Sequence, residues 1–256
     1  MTEILDRVYD DSRGTTLRYD TFAPSGEHAR LPAVVSIHGG GWVSGDRVDH
    51  HDIGKFFASN GFVAFCPQYR LAPLHPCPAA VEDLHRFMRY IRRHADGLGI
   101  DPVRLGVLGN SAGGHLALSV STRDECEGGV PSRANACVDI CGLADLTDPK
   151  SRHPQISWDF IHQFMGKPYE GNEADWVYAS PLSHVDGDSC PMLIFHGALD
   201  DIVWPDQSER LHGALQKAGV PSEFIILPND GHNFSLESFQ FILDKSLEFF
   251  QNALKR

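Results

Sequence analysis

Apolar positions recur along this chain with two periods, and the alternation between them predicts the fold. Leu17 to Phe22 alternates large apolar and polar side chains, as a half-buried strand does, and Pro24-Ser25-Gly26 ends it. Ala33 to Ile37 is a continuous apolar run suited to a strand covered on both faces. A short helical stretch around Phe56 and Phe57 stops near Asn60-Gly61, and Phe62 to Cys66 is the next strand. From Pro78 to His94, Val81, Leu84, Met88 and Ile91 fall at helical spacing with charges between them, and Gly97 and Gly99 close the helix. Arg104 to Leu108 reads as a central strand, with a helix from His115 to Val120 after it. Ala136 to Ile140, Pro191 to His196 and Glu223 to Leu227 are further strands. Leu211, Leu215 and Ala218 mark one face of a helix ending at Gly219, and Leu236, Phe239, Ile242, Leu243, Phe249 and Phe250 mark the last helix.

Strands alternating with helices imply an α/β fold, a mostly parallel sheet flanked by helices on both faces with right-handed crossovers. No internal repeat or break in composition divides the 256 residues, so a single domain over 1–256 is expected. The irregular stretch is Gly142 to Cys190, rich in aromatics and proline; an insertion of this kind is expected to form a lid or a pocket wall.

Composition narrows the functional classes. The formal net charge of −12, without a basic patch, argues against nucleic acid as a partner. Met1 to Asp11 is polar and acidic, without the apolar core of a signal peptide, and no later run is long enough to span a membrane. A cytoplasmic protein is therefore expected. The six cysteines form no Cys-x-x-Cys pair and read as buried, reduced thiols. The fourteen histidines include His50-His51 but no His-Glu-x-x-His, so they read as surface residues, with no metal and no cofactor expected.

Candidate chemistry lies where the strands end. Gly109-Asn110-Ser111-Ala112-Gly113-Gly114 sits between the central strand and its helix, a context that exposes a serine above the sheet. His38-Gly39-Gly40-Gly41-Trp42, His196 to Asp201, and Asp230 to Phe234 follow three other strands. Ligands bind beyond these strand ends in an open parallel sheet. A serine hydroxyl needs a base to take its proton during attack, which His232 can do. A carboxylate must then hold that imidazole, and spacing from His196-Gly197 favours Asp200 over Asp201. Asp230 reads as a turn residue. The amide of Ala112 and those of the Gly39–Gly41 loop can face an oxyanion.

The chain resembles the esterase and lipase branch of the α/β-hydrolases. The stretches that carry the resemblance are His38 to Trp42, Tyr69 to Pro73, His75-Pro76, Pro78 to Asp83, Gly109 to Ala117, Ser180-Pro181-Leu182, His196-Gly197 with Asp200, Val203, Pro205 and Gln207-Ser208, and Gly231-His232. They are most similar to the feruloyl-esterase-like and acetyl-esterase-like group, a relative of the hormone-sensitive-lipase-like family. The resemblance implies an α/β-hydrolase fold with minimal or no N-terminal cap. It implies Ser111, His232 and Asp200 as the triad, and the N–H groups of Gly40, Gly41 and Ala112 as the oxyanion hole. Asn110 stands where relatives often carry an acid, and Leu74 and Cys77 stand where Glu and Phe are usual. The expected activity is hydrolysis of short-chain or otherwise small acyl esters by a serine carboxylesterase whose partner is a small-molecule ester. Two alternatives are an amide hydrolase (an arylformamidase or a peptidase) and a non-catalytic ligand receptor on the same scaffold. A homo-oligomer is left open.

Overall fold

The computed structural model of the chain describes residues 1–26, 30–147 and 153–255. Eight strands form one sheet: β1 (Thr2–Asp10), β2 (Leu17–Ala23), β3 (Leu31–Ile37), β4 (Val63–Pro67), β5 (Ile100–Asn110), β6 (Ala136–Ile140), β7 (Met192–Gly197) and β8 (Ser222–Leu227). Their spatial order is β1-β2-β4-β3-β5-β6-β7-β8. β1 and β2 pair antiparallel, as do β2 and β4, and every other pairing is parallel.

The continuous apolar runs have a simple cause. Successive side chains of a strand point to opposite faces, and here both faces are covered. Val35, Val107, Cys137 and Ile194 share one core with α2 (Ala79–Arg93), α4 (Ala112–Thr122), α5 (Gln155–Met165), α6 (Glu173–Ala179) and α7 (Asp206–Lys217). Val34, Leu108, Val138 and Leu193 share the other with α1 (His51–Ser59) and α8 (Leu236–Ala253). The remaining short helix, α3 (Ala95–Leu98), ends at Gly99 in the left-handed conformation.

β1 has no counterpart among the elements read from hydrophobic pattern. Ile4, Leu5 and Val8 are exposed and only Tyr9 of the strand is buried, so period-two alternation is absent. Register shifts between Ile4 and Arg7 and between Val8 and Asp10 break the period further, as bulges do in edge strands. β2 is nearly all buried rather than half-buried, because β1 and β4 flank it and helices cover it. Gly142 to Cys190 holds α5, α6 and a 3-10 turn at Pro181–His184, while residues 148–152 lie outside the described residues.

α4 crosses β3 at very close range. A Cβ on Gly113 would lie 2.1 Å from the Ile37 carbonyl oxygen, a backbone atom with little room to give. Gly113→Ala is therefore expected to lower stability by about 1–3 kcal/mol. A urea midpoint shift at unchanged slope measures this; an unshifted midpoint would show that α4 can move off β3 at no cost.

Candidate active site

Ser111 stands on the sharp turn between β5 and α4 with φ 54° and ψ −122°, a conformation that costs a non-glycine residue about 1–3 kcal/mol. Its amide donates to the Ile140 carbonyl at 2.9 Å and its carbonyl accepts from His115 N–H at 3.0 Å, so both neighbouring elements hold the turn. Gly109 is required beside it: a Cβ there would lie 2.2 Å from the Gly113 oxygen.

His232 Nε2 lies 3.0 Å from Ser111 Oγ, and His232 Nδ1 lies 2.8 Å from Asp200 Oδ2. A carboxylate only accepts, so the proton sits on Nδ1 and Nε2 is free to accept from the serine hydroxyl. Asp200 Oδ1 accepts from the amides of Ile202 (2.9 Å) and Val203 (2.8 Å). Burial pushes the Asp200 carboxyl up, but hydrogen bonds from His196 and His232 outweigh it and hold the group well below the usual carboxylate range. Asp201 is exposed and does not join them. Asp230 accepts from Ser235 N–H and Ser238 O–H, so it fixes the entry into α8.

The loop after β3 folds back on itself: Val43 and Ser44 amides donate to the Gly40 carbonyl, both at 3.1 Å. The amides of Gly40, Gly41 and Ala112 have no protein acceptor among the described residues, and all three residues line one cavity with Ser111 and His232. A Cβ on Gly40 would lie 2.3 Å from Ser44 O, which is why the loop needs glycine there.

Several residues that brace this loop were not legible as site residues. Trp42 is buried, stacks on Phe164 (4.4 Å between centroids) and donates through Nε1 to His115 Nδ1 at 3.1 Å. His115 Nε2–H then donates to the Ala179 carbonyl at 2.7 Å. His38 stacks on Tyr69, whose hydroxyl donates to the His38 carbonyl at 3.0 Å. His50 links Ser36 Oγ (2.7 Å) to Asn110 Oδ1 (3.0 Å), directly behind the serine. The expectation of surface histidines is thus wrong for His38, His50, His85, His115, His153 and His196, all of which are buried. Burial pushes His50 and His115 each down to about 4, so both stay neutral and serve as hydrogen-bond bridges. Five cysteines are buried free thiols as expected, whereas Cys126 is exposed.

The cavity above Ser111 measures about 280 Å³ and is lined by Trp42, Leu143, Ser157, Phe160, Ile202 and Val203. Leu143, Ser157 and Phe160 come from the irregular stretch Gly142–Cys190, and the Phe160 ring lies over Gly41. A second, wider cavity of about 580 Å³ adjoins it through Gly40, Ser44 and Asn110 and runs between α1 and α8. Cys141, Asp200 and His232 offer ligand atoms within 4.8 Å of one another, but this Asp and His already bond each other.

The BD-FAE family matches residues 19–215, most of the chain. The chain belongs to the BD-FAE family. Esterase LipQ of Mycobacterium tuberculosis is 28% identical over 215 residues, 81% of this chain and 51% of LipQ. This BD-FAE chain spans about half the length of the curated relatives it matches. Among solved structures it is similar to Thermogutta terrifontis esterase Est2 with propionate bound (26% identity, TM-score 0.81, 96% of this chain and 93% of that one). It is also similar to the same esterase phosphonylated by sarin (26% identity, TM-score 0.83, 96% and 94%). Among the described residues no helix of the BD-FAE chain is long and apolar enough to cross a membrane.

One buried acid near the site has a measurable consequence. Asp139, at the end of β6, accepts from Gly142 N–H through Oδ1, while Oδ2 has no partner among the described residues. Burial raises it from 3.8 to about 7, against smaller opposing effects of His196 and the Gly142 amide. Its folded value exceeds the unfolded one, so its contribution is fully present below about 4 and is lost as pH rises toward 7. Asp139→Asn keeps the Oδ1 acceptor and removes the titration. The variant should gain stability relative to the parent between pH 4.5 and 8, and urea unfolding at both values measures the difference. A pH-independent difference would mean that Asp139 ionises normally.

Proposed function

We propose that the protein is a serine carboxylesterase hydrolysing short-chain or otherwise small acyl esters. The observation that carries the reading is the array Ser111–His232–Asp200, with contacts of 3.0 and 2.8 Å, opening onto the unbonded amides of Gly40, Gly41 and Ala112. In this mechanism Ser111 Oγ attacks the ester carbonyl as its proton passes to His232 Nε2. The oxyanion takes hydrogen bonds from the three amides, helped by the positive end of α4. Asp200 stabilises the imidazolium. The C–O bond to the alcohol breaks as Nε2–H protonates the leaving oxygen, and an acyl-Ser111 remains. Water deprotonated by His232 then hydrolyses that acyl group.

The cavity of about 280 Å³ supports a small acyl group on the Phe160 side. Propionate and butyrate bound to the Thermogutta esterase support the same size class. The alcohol then points toward the wider cavity, whose wall includes Asp49 and Asp52 and so disfavours anionic alcohols. The stretch Gly142–Cys190 acts as a pocket wall in this reading, within one catalytic unit.

Ser111→Ala should abolish hydrolysis of p-nitrophenyl acetate, and a fluorophosphonate should label the parent but not the variant. Turnover at the parent rate in Ser111→Ala would end the proposal. Phe160→Ala should raise kcat/KM for octanoyl over acetyl esters by about 10-fold or more, as removal of several methylene-sized contacts from a pocket wall implies. An unchanged chain-length ratio would place the acyl group elsewhere.

A further inference from the structure

His196 is the penultimate residue of β7, and its side chain is fully buried together with that of Asp200. Its Nε2 faces two acceptors, the Val203 carbonyl at 2.8 Å and Asp200 Oδ2 at 3.3 Å. Nε2 therefore carries the proton, hydrogen-bonded to Val203 and facing Asp200 at the longer distance. Nδ1 lies 2.7 Å from Ser208 Oγ in the first turn of α7 and accepts from that hydroxyl in the neutral ring.

Asp200 Oδ2 thus accepts the His232 N–H and has His196 Nε2 facing it at 3.3 Å, while Oδ1 receives two backbone amides. The same ring grips the loop Asp200–Val203 at both ends, because Val203 donates to Oδ1 and its carbonyl accepts from His196. Val203 also lines the cavity above Ser111. We propose that His196, oriented by Ser208, is a positioning residue that fixes the Asp200 carboxylate beside His232 and tempers how strongly that carboxylate favours the imidazolium. It acts through Asp200 and touches no substrate atom. The kinetic part rests on the esterase reading above.

The direction of its effect follows from charge sharing. An N–H donated to Oδ2 withdraws negative charge from the atom that His232 uses. Removing it lets Asp200 favour protonated His232 more, so the base is lost at a higher pH. Other titratable groups face the pair from each packed element. The Cys141 thiol and Asp139 close β6, and Asp230 on the β8–α8 loop is turned onto Ser235 and Ser238. Burial raises both: Cys141 stays a neutral thiol, and Asp139, raised to about 7, stays protonated through the part of the acid limb below that pH.

Three variants of the whole chain test the proposal: His196→Leu, which deletes all three polar contacts of the ring; His196→Gln, whose side-chain amide can set an N–H at the same point; and Ser208→Ala. The readouts are the pH profile of kcat/KM for p-nitrophenyl acetate and the proton NMR signal of His232 Nδ1–H across a pH titration. His196→Leu should lower kcat by about tenfold, the scale of one lost hydrogen bond, with KM within about twofold. Its acid limb should move up by roughly 0.5 pH unit, a modest figure because the N–H is bonded to Val203 and faces Asp200 only at 3.3 Å. His196→Gln should restore most of both, and Ser208→Ala should shift the limb in the same direction by less. Should His196→Leu fail to fold, Ser208→Ala carries the test with the same two readouts. An acid limb and Nδ1–H titration unmoved in the folded variants would overturn the proposal, as would His196→Gln behaving no better than His196→Leu. Absence of ester turnover in the parent would sink the esterase reading alone, since the NMR titration decides the role of His196 without turnover.

Discussion

The backbone of Ser111 is the constraint on which the rest of the site depends. A residue with φ 54° between a strand and a helix puts its side chain above the sheet and starts the helix at once. That conformation is unfavourable for serine and survives only where its surroundings leave no alternative. Here the surroundings are backbone: Gly109 abuts Gly113, Gly113 abuts Ile37, and Gly114 and Gly142 meet over Asp139, each too close for a Cβ. The close approach of α4 to β3 and β6 is therefore also what aims the helix N-terminus, and its unbonded amides, at the point above the serine.

A second consequence concerns charge. A site meant to stabilise one developing anion gains most when few fixed charges compete with it. The groups packed beneath it fit this: His50 and His115 are neutral bridges, and the residue before the serine is the neutral Asn110. An acid at position 110 would face the ring of His50 and favour its protonation, placing an ion pair behind Ser111. The asparagine achieves the same hydrogen bond without it. The full negative charge within reach of His232 is Asp200, and it is surrounded by N–H donors.

Much of the fold was legible because the strands of a doubly covered sheet must be apolar throughout. Ala33 to Ile37, Ala136 to Ile140 and Glu223 to Leu227 match their strands to within two residues. β1 escaped because an edge strand with shifted register has no side-chain period to read. The positions of Ser111, Asp200 and His232 were legible from chain order at strand ends, which topology alone brings together. The bracing residues were not. Trp42, His115, His50 and His196 carry no sequence sign of their bracing role, because the hydrogen-bond partners that satisfy them lie 7 to 73 residues away. A useful sign was available: a histidine inside or directly after an apolar strand, as with His38 and His196, is already in a place where water cannot satisfy it.

The parts of the site differ in what could change without loss of the fold. The serine turn and the loop after β3 are fixed by backbone contacts, so little variation in them is tolerable. The cavity wall is different. Leu143, Ser157 and Phe160 belong to a stretch between two strands whose path is set by side-chain packing, of Phe164 on Trp42 and of Trp158 on Trp176. The adjoining cavity is walled by the turn before α1 and by Phe239 of α8, on the opposite core. In an ester held at Ser111, the acyl group and the alcohol would thus meet side chains from opposite faces of the sheet. Substitutions on one face can then alter selection for one half of the substrate while the hydrogen bonds at Ser111 stay as they are.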